Sequence, residues 1–374
     1  MNVIKKMQKI VNQPDEYAKQ WKAETGGKVV GTVCSYAPVE IIQAGGALPF
    51  RVFGNGGNVF SFADTHLQSY CCSLVRGILN QALAGDLDFL DGAVFTHTCD
   101  SMQRLSDIWR MNAGLGFHED LVLPVKMEGN TAREYMIRIL EALKTSLEGH
   151  LDVAITDERL GHAITTMNQV RTAILQLDQA RITSPSTVSS GDLHMAIRAA
   201  MIMDPAQWLD MMADTLSGLT NTAGDNGPSP GKRVILSGAV NGSRGIHDFI
   251  EEKGGAVVHD DMCTGIRYAH GLVDESMPPI PAITDRYMHR VNCPSKHTGI
   301  YARGEHLVET ARATHADGVI FLLLKFCDPH AFDYPYLKTM LDDASVPSIL
   351  LEVEDPFVFG GQAATRVEAF LEML

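Results

Sequence analysis

The chain has 374 residues, is 45% hydrophobic and 20% charged, and carries a formal net charge of -14. At roughly 150 residues per domain that length suggests two or three domains, and the apolar content excludes extended disorder. The acidic balance argues against nucleic acid or an anionic membrane surface as partner, since both need clustered Lys and Arg.

No run approaches the roughly 18 apolar residues of a membrane span. The opening MNVIKKMQKIVNQPDEY has neither a signal-peptide apolar core nor a small-residue cleavage site, so a cytoplasmic protein is expected. In that setting the seven cysteines serve metal or redox chemistry, or act as small buried hydrophobes, rather than forming disulfides.

KVVGTV, from Lys28 to Val33, predicts a first strand, with Cys34 at its C-terminal edge. After Pro38, VEIIQAGGALPF predicts a short helix and a glycine-rich turn. THLQSYCCSLVRGILNQALAG, from Thr65, predicts a helix that stops at Gly85, with Cys71 and Cys72 adjacent on it and about 100° apart. LDFLDGAVFTHTC predicts the next strand, closing on Cys99, and DSMQRLSDIWR a helix capped by Asp100 or Ser101. From about Thr131 to Gly218 long helical periodicities take over, with few strand signals.

TNTAGDNGPSPGKR, from Thr220 to Arg233, has the composition of a linker. Strand and helix then alternate. VILSGAV, AVVHDDMC, HADGVIFLLLKFC and PSILLEVE predict strands, and TRVEAFLEML predicts a final helix. The fold expected is α/β, with two doubly wound, mostly parallel, flavodoxin- or Rossmann-like lobes around a helical middle. Its divisions are an N-terminal lobe over 1–130, a helical segment over 131–225 and a C-terminal lobe over 226–374. DGAVF…CD, at Asp91 to Asp100, and DGVIF…CD, at Asp317 to Asp328, form a near-repeat that relates the lobes, with two extra residues in the second.

Ligands of open α/β sheets sit beyond the carboxyl ends of the strands, at the point where strand order reverses. Cys34, Cys99, Cys263 and Cys327 all fall at strand ends, and Cys72 and Cys293 lie where a helix and a loop bring them near. Any one of these alone reads as an inert core thiol. Together at loop edges they read as ligands. The chain has neither a C-x₂₋₄-C zinc knuckle nor ferredoxin spacing, and thiolates drawn from separate segments suit an iron-sulfur cluster between lobes. GNGGN (Gly54 to Asn58) and SGAVNGSRG (Ser237 to Gly245) lack phosphate-loop patterns and read as ordinary turns. His97, Lys325 and His297 lie near cysteines and are candidates to move a proton or hold a thioester, beside the structural roles such residues commonly fill.

CSYAPVEIIQAGGALPFR, HLQSYCCSLVRGIL, DFLDGAVFTHTCDSMQRLSDIW, CTGIRY, NCPSKH, KFCDPHAFDYPYLKTML and TRVEAFLEML, in that order, resemble the benzoyl-CoA reductase / 2-hydroxyacyl-CoA dehydratase family (2-hydroxyglutaryl-CoA dehydratase component D-like) over most of both lobes. The resemblance implies an oxygen-sensitive iron-sulfur subunit. It would receive single electrons from a separate ATP-hydrolysing iron-sulfur activator, work beside a homologous subunit as a heterodimer or homodimer, and reduce an acyl-CoA thioester. By motif, the family's three ligands of a 4Fe-4S cluster map onto Cys72, Cys99 and Cys327. Cys34, Cys263 and Cys293 match a branch that holds two linked cubanes, a double-cubane cluster.

Carrying all six departs from the dehydratase pattern. The first expectation is therefore a benzoyl-CoA reductase-like subunit that reduces a CoA thioester by one electron at a time. A 2-hydroxyacyl-CoA dehydratase using a ketyl radical is the second. A double-cubane reductase of small molecules without CoA, and a non-catalytic electron-relay subunit, complete the alternatives.

Overall fold

The computed structural model describes residues 3–54, 60–183, 188–221, 231–290, 293–296, 298–354 and 360–374. Most of the linker stretch, residues 55–58 of GNGGN, and His297 lie outside these.

Two helices, α1 (Val3–Asn12) and α2 (Pro14–Thr25), precede the first lobe, in which β1 (Val29–Thr32), α3 (Val39–Ala44), β2 (Leu48–Arg51), α4 (Ser73–Ala84), β3 (Gly92–Thr96), α5 (Asp100–Asn112) and β4 (Phe117–Leu121) alternate. Four helices follow: α6 (Asn130–Leu151), α7 (Asp157–Thr183), α8 (Ser190–Ala200) and α9 (Pro205–Asn221). The second lobe contains β5 (Arg233–Gly238), α10 (Gly245–Glu252), β6 (Ala256–Asp261), α11 (Pro279–His289), α12 (Ala302–Ala313), β7 (Gly318–Leu324), α13 (Asp328–Asp343), β8 (Ser348–Val353) and α14 (Gly361–Met373).

Both sheets are parallel throughout, in the orders β2-β1-β3-β4 and β6-β5-β7-β8. Strand order reverses beside β1 and β3 in one sheet and beside β5 and β7 in the other, which opens a crevice at their carboxyl ends. Alternate residues serve different cores. Val29 and Val234 enter a core shared by both lobes, while Val30 and Ile235 enter separate outer cores. Burial on both faces explains the apolar run of β7, an interior strand with six of its seven residues buried.

The long helix α7 fastens to both lobes. Arg171 pairs with Glu40 of α3, and Arg181 pairs with Asp260 of β6 at 2.9 Å, all four side chains being buried. Nearby α11 crosses back to the middle helices and the first lobe: Arg133 of α6 donates to Asp285 at 2.6 Å, and the Tyr287 hydroxyl donates to the Ala37 carbonyl at 2.9 Å.

The near-repeat has a physical basis. Asp91 and Asp317 each accept, at 2.7 Å, the backbone N–H that opens the neighbouring strand, from Val29 and Arg233. The glycine after each aspartate leaves room for a ring: a Cβ would lie 2.4 Å from Phe117 at Gly92 and 2.7 Å from Phe370 at Gly318. The two extra residues lengthen β7, seven residues against five in β3, and leave unchanged the three-residue step from strand end to cysteine.

Several predicted boundaries change. The helix predicted from Thr65 starts at Ser73, so Cys71 and Cys72 precede it and Cys72 is its N-cap. Cys99, rather than Asp100 or Ser101, caps α5. Two strands escaped prediction: β2 carries Pro49, tolerable because the strand is at the sheet edge, and β4 is a half-exposed edge strand of sequence FHEDL without apolar alternation. Helices α11 and α12 also went unpredicted. Among the described residues no helix is long and apolar enough to cross a membrane.

Candidate functional site

At the crevice the chain presents its cysteines. Cys34 and Cys263 follow β1 and β6 by two residues, and Cys99 and Cys327 follow β3 and β7 by three. Cys72, Cys99 and Cys327 are the N-cap residues of α4, α5 and α13. The unpaired first-turn amides of a helix carry partial positive charge, so each sulfur meets a terminus that favours its anion. Backbone N–H groups of Val75, Met102 and His330 face the respective sulfurs, short of full capping geometry. Cys327 is set by a tight turn in which its N–H donates to the Leu324 carbonyl at 2.9 Å and Phe326 takes φ +63°, a left-handed conformation costly for a bulky residue.

These three thiols line one cavity of about 420 Å³, together with Phe326, Phe332, Asp333 and Arg303. Burial pushes the Cys72 and Cys99 thiols up to about 11, and nearby Cys72 adds to the shift at Cys99. Burial, then Cys72 and Cys99, pushes Cys327 well above the ordinary thiol range. Three thiolates so placed repel one another and lack solvent, and bound metal cations remove both costs.

A second trio lies alongside. Burial raises Cys293 to about 11, and nearby Cys263 and then Cys34 add to the shift. Cys293 sits in a tight loop bridged to Lys296, and the Ser295 N–H donates to its sulfur at 3.5 Å. Cys99 lies within electrostatic reach of Cys34, and Cys327 of Cys263, so the trios adjoin. Cys71, although adjacent to Cys72 and buried in the same core, does not line the cavity.

Among the described residues no three His, Cys, Asp or Glu side chains converge as ligands of a single ion would. The first trio instead rings a volume. That arrangement, with an all-thiol donor set, fits a multi-iron cluster in which each sulfur binds its own iron.

The other candidates stand apart from the cavity lining. The ring of His97 is held by Asp120 Oδ1 at 2.7 Å, and Lys325 is half exposed, 3.7 Å from Glu354. The SGAVNGSRG loop is an ordinary turn: the Asn241 side chain accepts from the Ser243 N–H and donates to the Ser243 carbonyl.

Sequence reasoning missed the buried cations. Arg51 lines a small cavity with Cys34, Arg267 Nη1 lies 3.9 Å from the Cys263 sulfur, and buried Lys296 lies within electrostatic reach of Cys293, Cys34 and Cys99. A signal existed for two of them, since CTGIR and CPSK place a cation three or four residues after a cysteine.

A family model described as 2-hydroxyglutaryl-CoA dehydratase, D-component, matches residues 34–374. Similar proteins include the (R)-phenyllactyl-CoA dehydratase beta subunit of Clostridium sporogenes, 27% identical over 98% of this chain and 96% of that one. A benzoyl-CoA reductase subunit of Thauera aromatica is 27% identical over 89% and 87% of the two chains. The lactoyl-CoA dehydratase beta subunit of Anaerotignum propionicum is 24% identical over 100% and 98%. Because the match runs through both lobes and all their cysteine-bearing strand ends, the chain belongs to the 2-hydroxyglutaryl-CoA dehydratase D-component family, which spans acyl-CoA dehydratase and benzoyl-CoA reductase subunits.

Proposed function

We propose that the chain is the iron-sulfur subunit of an ATP-activated, low-potential acyl-CoA reductase of the benzoyl-CoA reductase type, in which Cys72, Cys99 and Cys327 hold a 4Fe-4S cluster. The observation that carries this is the placement of those three thiols, each capping a helix, around one cavity between the lobes. When bound, the cluster supplies single low-potential electrons, whose potential depends on charge, sulfur hydrogen bonds and exposure.

The chain's own residues do the rest. Phe326 and Phe332, both solvent-exposed, give the cavity an apolar rim beside the thiols. Asp333 is anchored at the cavity wall by Arg303, whose Nε donates to Asp333 Oδ2 at 2.6 Å, so the ion pair fixes both side chains beside the thiols. Each of the relatives is named as one subunit of its enzyme, which supports a homologous partner for this chain. The electron donor in this reading is a separate ATP-hydrolysing iron-sulfur activator. Anaerobic reconstitution tests it: about four irons per chain, lost in Cys327→Ala, together with activator-dependent reduction of a CoA thioester, is the expected result. A chain that takes up no iron overturns it.

One observation favours a second reading. Cys34, Cys263 and Cys293 form their own trio, which suits a double-cubane reductase of small molecules without CoA. About eight irons per chain and no binding of a CoA thioester would select that reading.

A further inference from the structure

Charge is distributed unequally around the two trios. Arg51 is 7% exposed, lines one small cavity together with Cys34, and its Nη1 has no hydrogen-bond partner among the described residues. Arg290 donates to the carbonyls of Ser35 at 2.6 Å and Arg267 at 2.7 Å, and Lys296 donates to the carbonyl of Leu123 at 3.0 Å. All three are buried, and none has a carboxylate partner among the described residues. Arg267 also lies here, but pairs with Asp261 at 2.9 Å. The cavity trio has the opposite surroundings: Asp100, Asp328 and Asp333 line its cavity, and the cation there, Arg303, is already paired with Asp333 and Asp261. Helix N-termini add about half a positive charge each at the cavity trio, and Asp100 and Asp328, in the first turns of α5 and α13, offset two of them.

Such unbalanced buried cations are costly unless an anion sits among them. We infer that Arg51, with Arg290 and Lys296, serves the anionic iron-sulfur group held by Cys34, Cys263 and Cys293, and sets its reduction potential above that of the group on Cys72, Cys99 and Cys327. The inference rests on the iron-sulfur reading proposed above in the form in which both trios are loaded, about eight irons per chain. Reduction adds one electron and one negative charge to a group; a fixed positive charge in a desolvated site stabilises the reduced form, and nearby carboxylates oppose it. One electron delivered by a strong reductant would rest on the Arg51 side, and the cavity-facing group would be the more reducing of the two. Arg51 acts through the cluster it neighbours and is a positioning residue.

The test is a mediated dithionite titration of the full-length, anaerobically reconstituted chain, followed by electron paramagnetic resonance. Two signals are expected, the higher-potential one absent from Cys293→Ala and the lower absent from Cys327→Ala. Arg51→Met should move the higher signal's reduction equilibrium at least tenfold towards the oxidised form, about 59 mV for a one-electron couple, and leave the lower signal in place. Arg51→Lys, which keeps the charge, should stay within about twofold of the wild type. Lys296→Gln, which removes a cation within reach of Cys99 as well as Cys293 and Cys34, should shift the same signal in the same direction and further than the lower one, and serves if Arg51→Met loses iron. If both variants lose iron, the wild-type order alone decides. Reversed order, a single signal, or intact signals that ignore both substitutions overturn the inference while leaving an iron-sulfur subunit standing. A wild-type chain with no iron overturns the proposed function as well.

Discussion

In the first lobe β3 lies between β1 and β4, in the second β7 lies between β5 and β8, and each of these interior strands ends three residues before a cysteine that caps the next helix. The same aspartate and glycine open both strands. Beyond that pair the correspondence fails. Cys34 follows β1 whereas β5 runs into Ala239, and Cys263 follows β6 whereas β2 runs into Val52. A doubled scaffold thus supplies Cys99 and Cys327 as a related pair facing one cavity, and the second trio is an asymmetric addition whose cations come from different elements in each lobe: Arg51 from β2, Lys296 from a loop.

The largest expected effect breaks the pair. Cys99→Ala and Cys327→Ala should each cost the iron of the cavity group, about half of the total if both trios are loaded, whereas Cys263→Ala should spare it. Iron and sulfide analysis on anaerobically prepared variants checks this. Unequal losses for Cys99→Ala and Cys327→Ala would break the equivalence of β3 and β7.

The parallel sheets were legible in the sequence because interior strands are buried on both faces and read as unbroken apolar runs, as VIFLLL does. Edge strands lack that signature, which is why LPFR and FHEDL passed unseen. Cysteines at strand ends were equally visible, since a strand's end is a local property. Their division into two trios was not, because it depends on how two lobes meet. The cations stayed hidden for the same reason: Arg51 lies 17 residues from Cys34 in sequence and meets it only because β2 pairs with β1. The cap positions are not legible locally, because cysteine is not among the usual capping residues whereas Asp100 and Ser101 are.

Next in size are the ion pairs by which α7 holds each lobe. Arg171→Met leaves Glu40 buried without its cation, and Arg181→Met does the same to Asp178 and Asp260. Each should cost about 3–5 kcal/mol in denaturant unfolding. Equal costs would mean that α7 is tied to both lobes with equal strength; a much smaller cost at one would show which lobe depends on it less.

Acid should act more on one side. His194 and His247 of the α8–α10 layer are fully buried, stacked with ring centroids 4.8 Å apart, and have no hydrogen-bond partners among the described residues. Burial, and at His194 the neighbouring His247, holds both below the ordinary histidine pKa. The unfolded chain therefore binds protons first. Their contribution to stability is complete above the unfolded pKa of about 6.5 and is lost as pH falls below it towards the folded values. Asp261 does not oppose this: burial would raise its pKa, but Arg267 and Arg303 hold it far below that window. Melting temperature measured from pH 8 to pH 5 should fall, and His194→Phe should flatten the curve.

The smallest effect probes the shared scaffold itself. Asp91→Ala and Asp317→Ala each remove the acceptor of one 2.7 Å hydrogen bond from the backbone N–H at Val29 or Arg233, and each should cost about 0.5–1.5 kcal/mol, with the partly buried Val29 N–H towards the upper end and the exposed Arg233 N–H, which water can reach, towards the lower. Asp91 has a further partner, Lys22 at 2.8 Å, but that pair is partly exposed and adds at most about 1 kcal/mol. Chemical unfolding of the two variants should therefore show Asp91→Ala to be the costlier. A clear excess at Asp317 would mean that the two aspartates share a sequence pattern without sharing a role, and the near-repeat would then describe strand composition rather than a common way of opening a sheet.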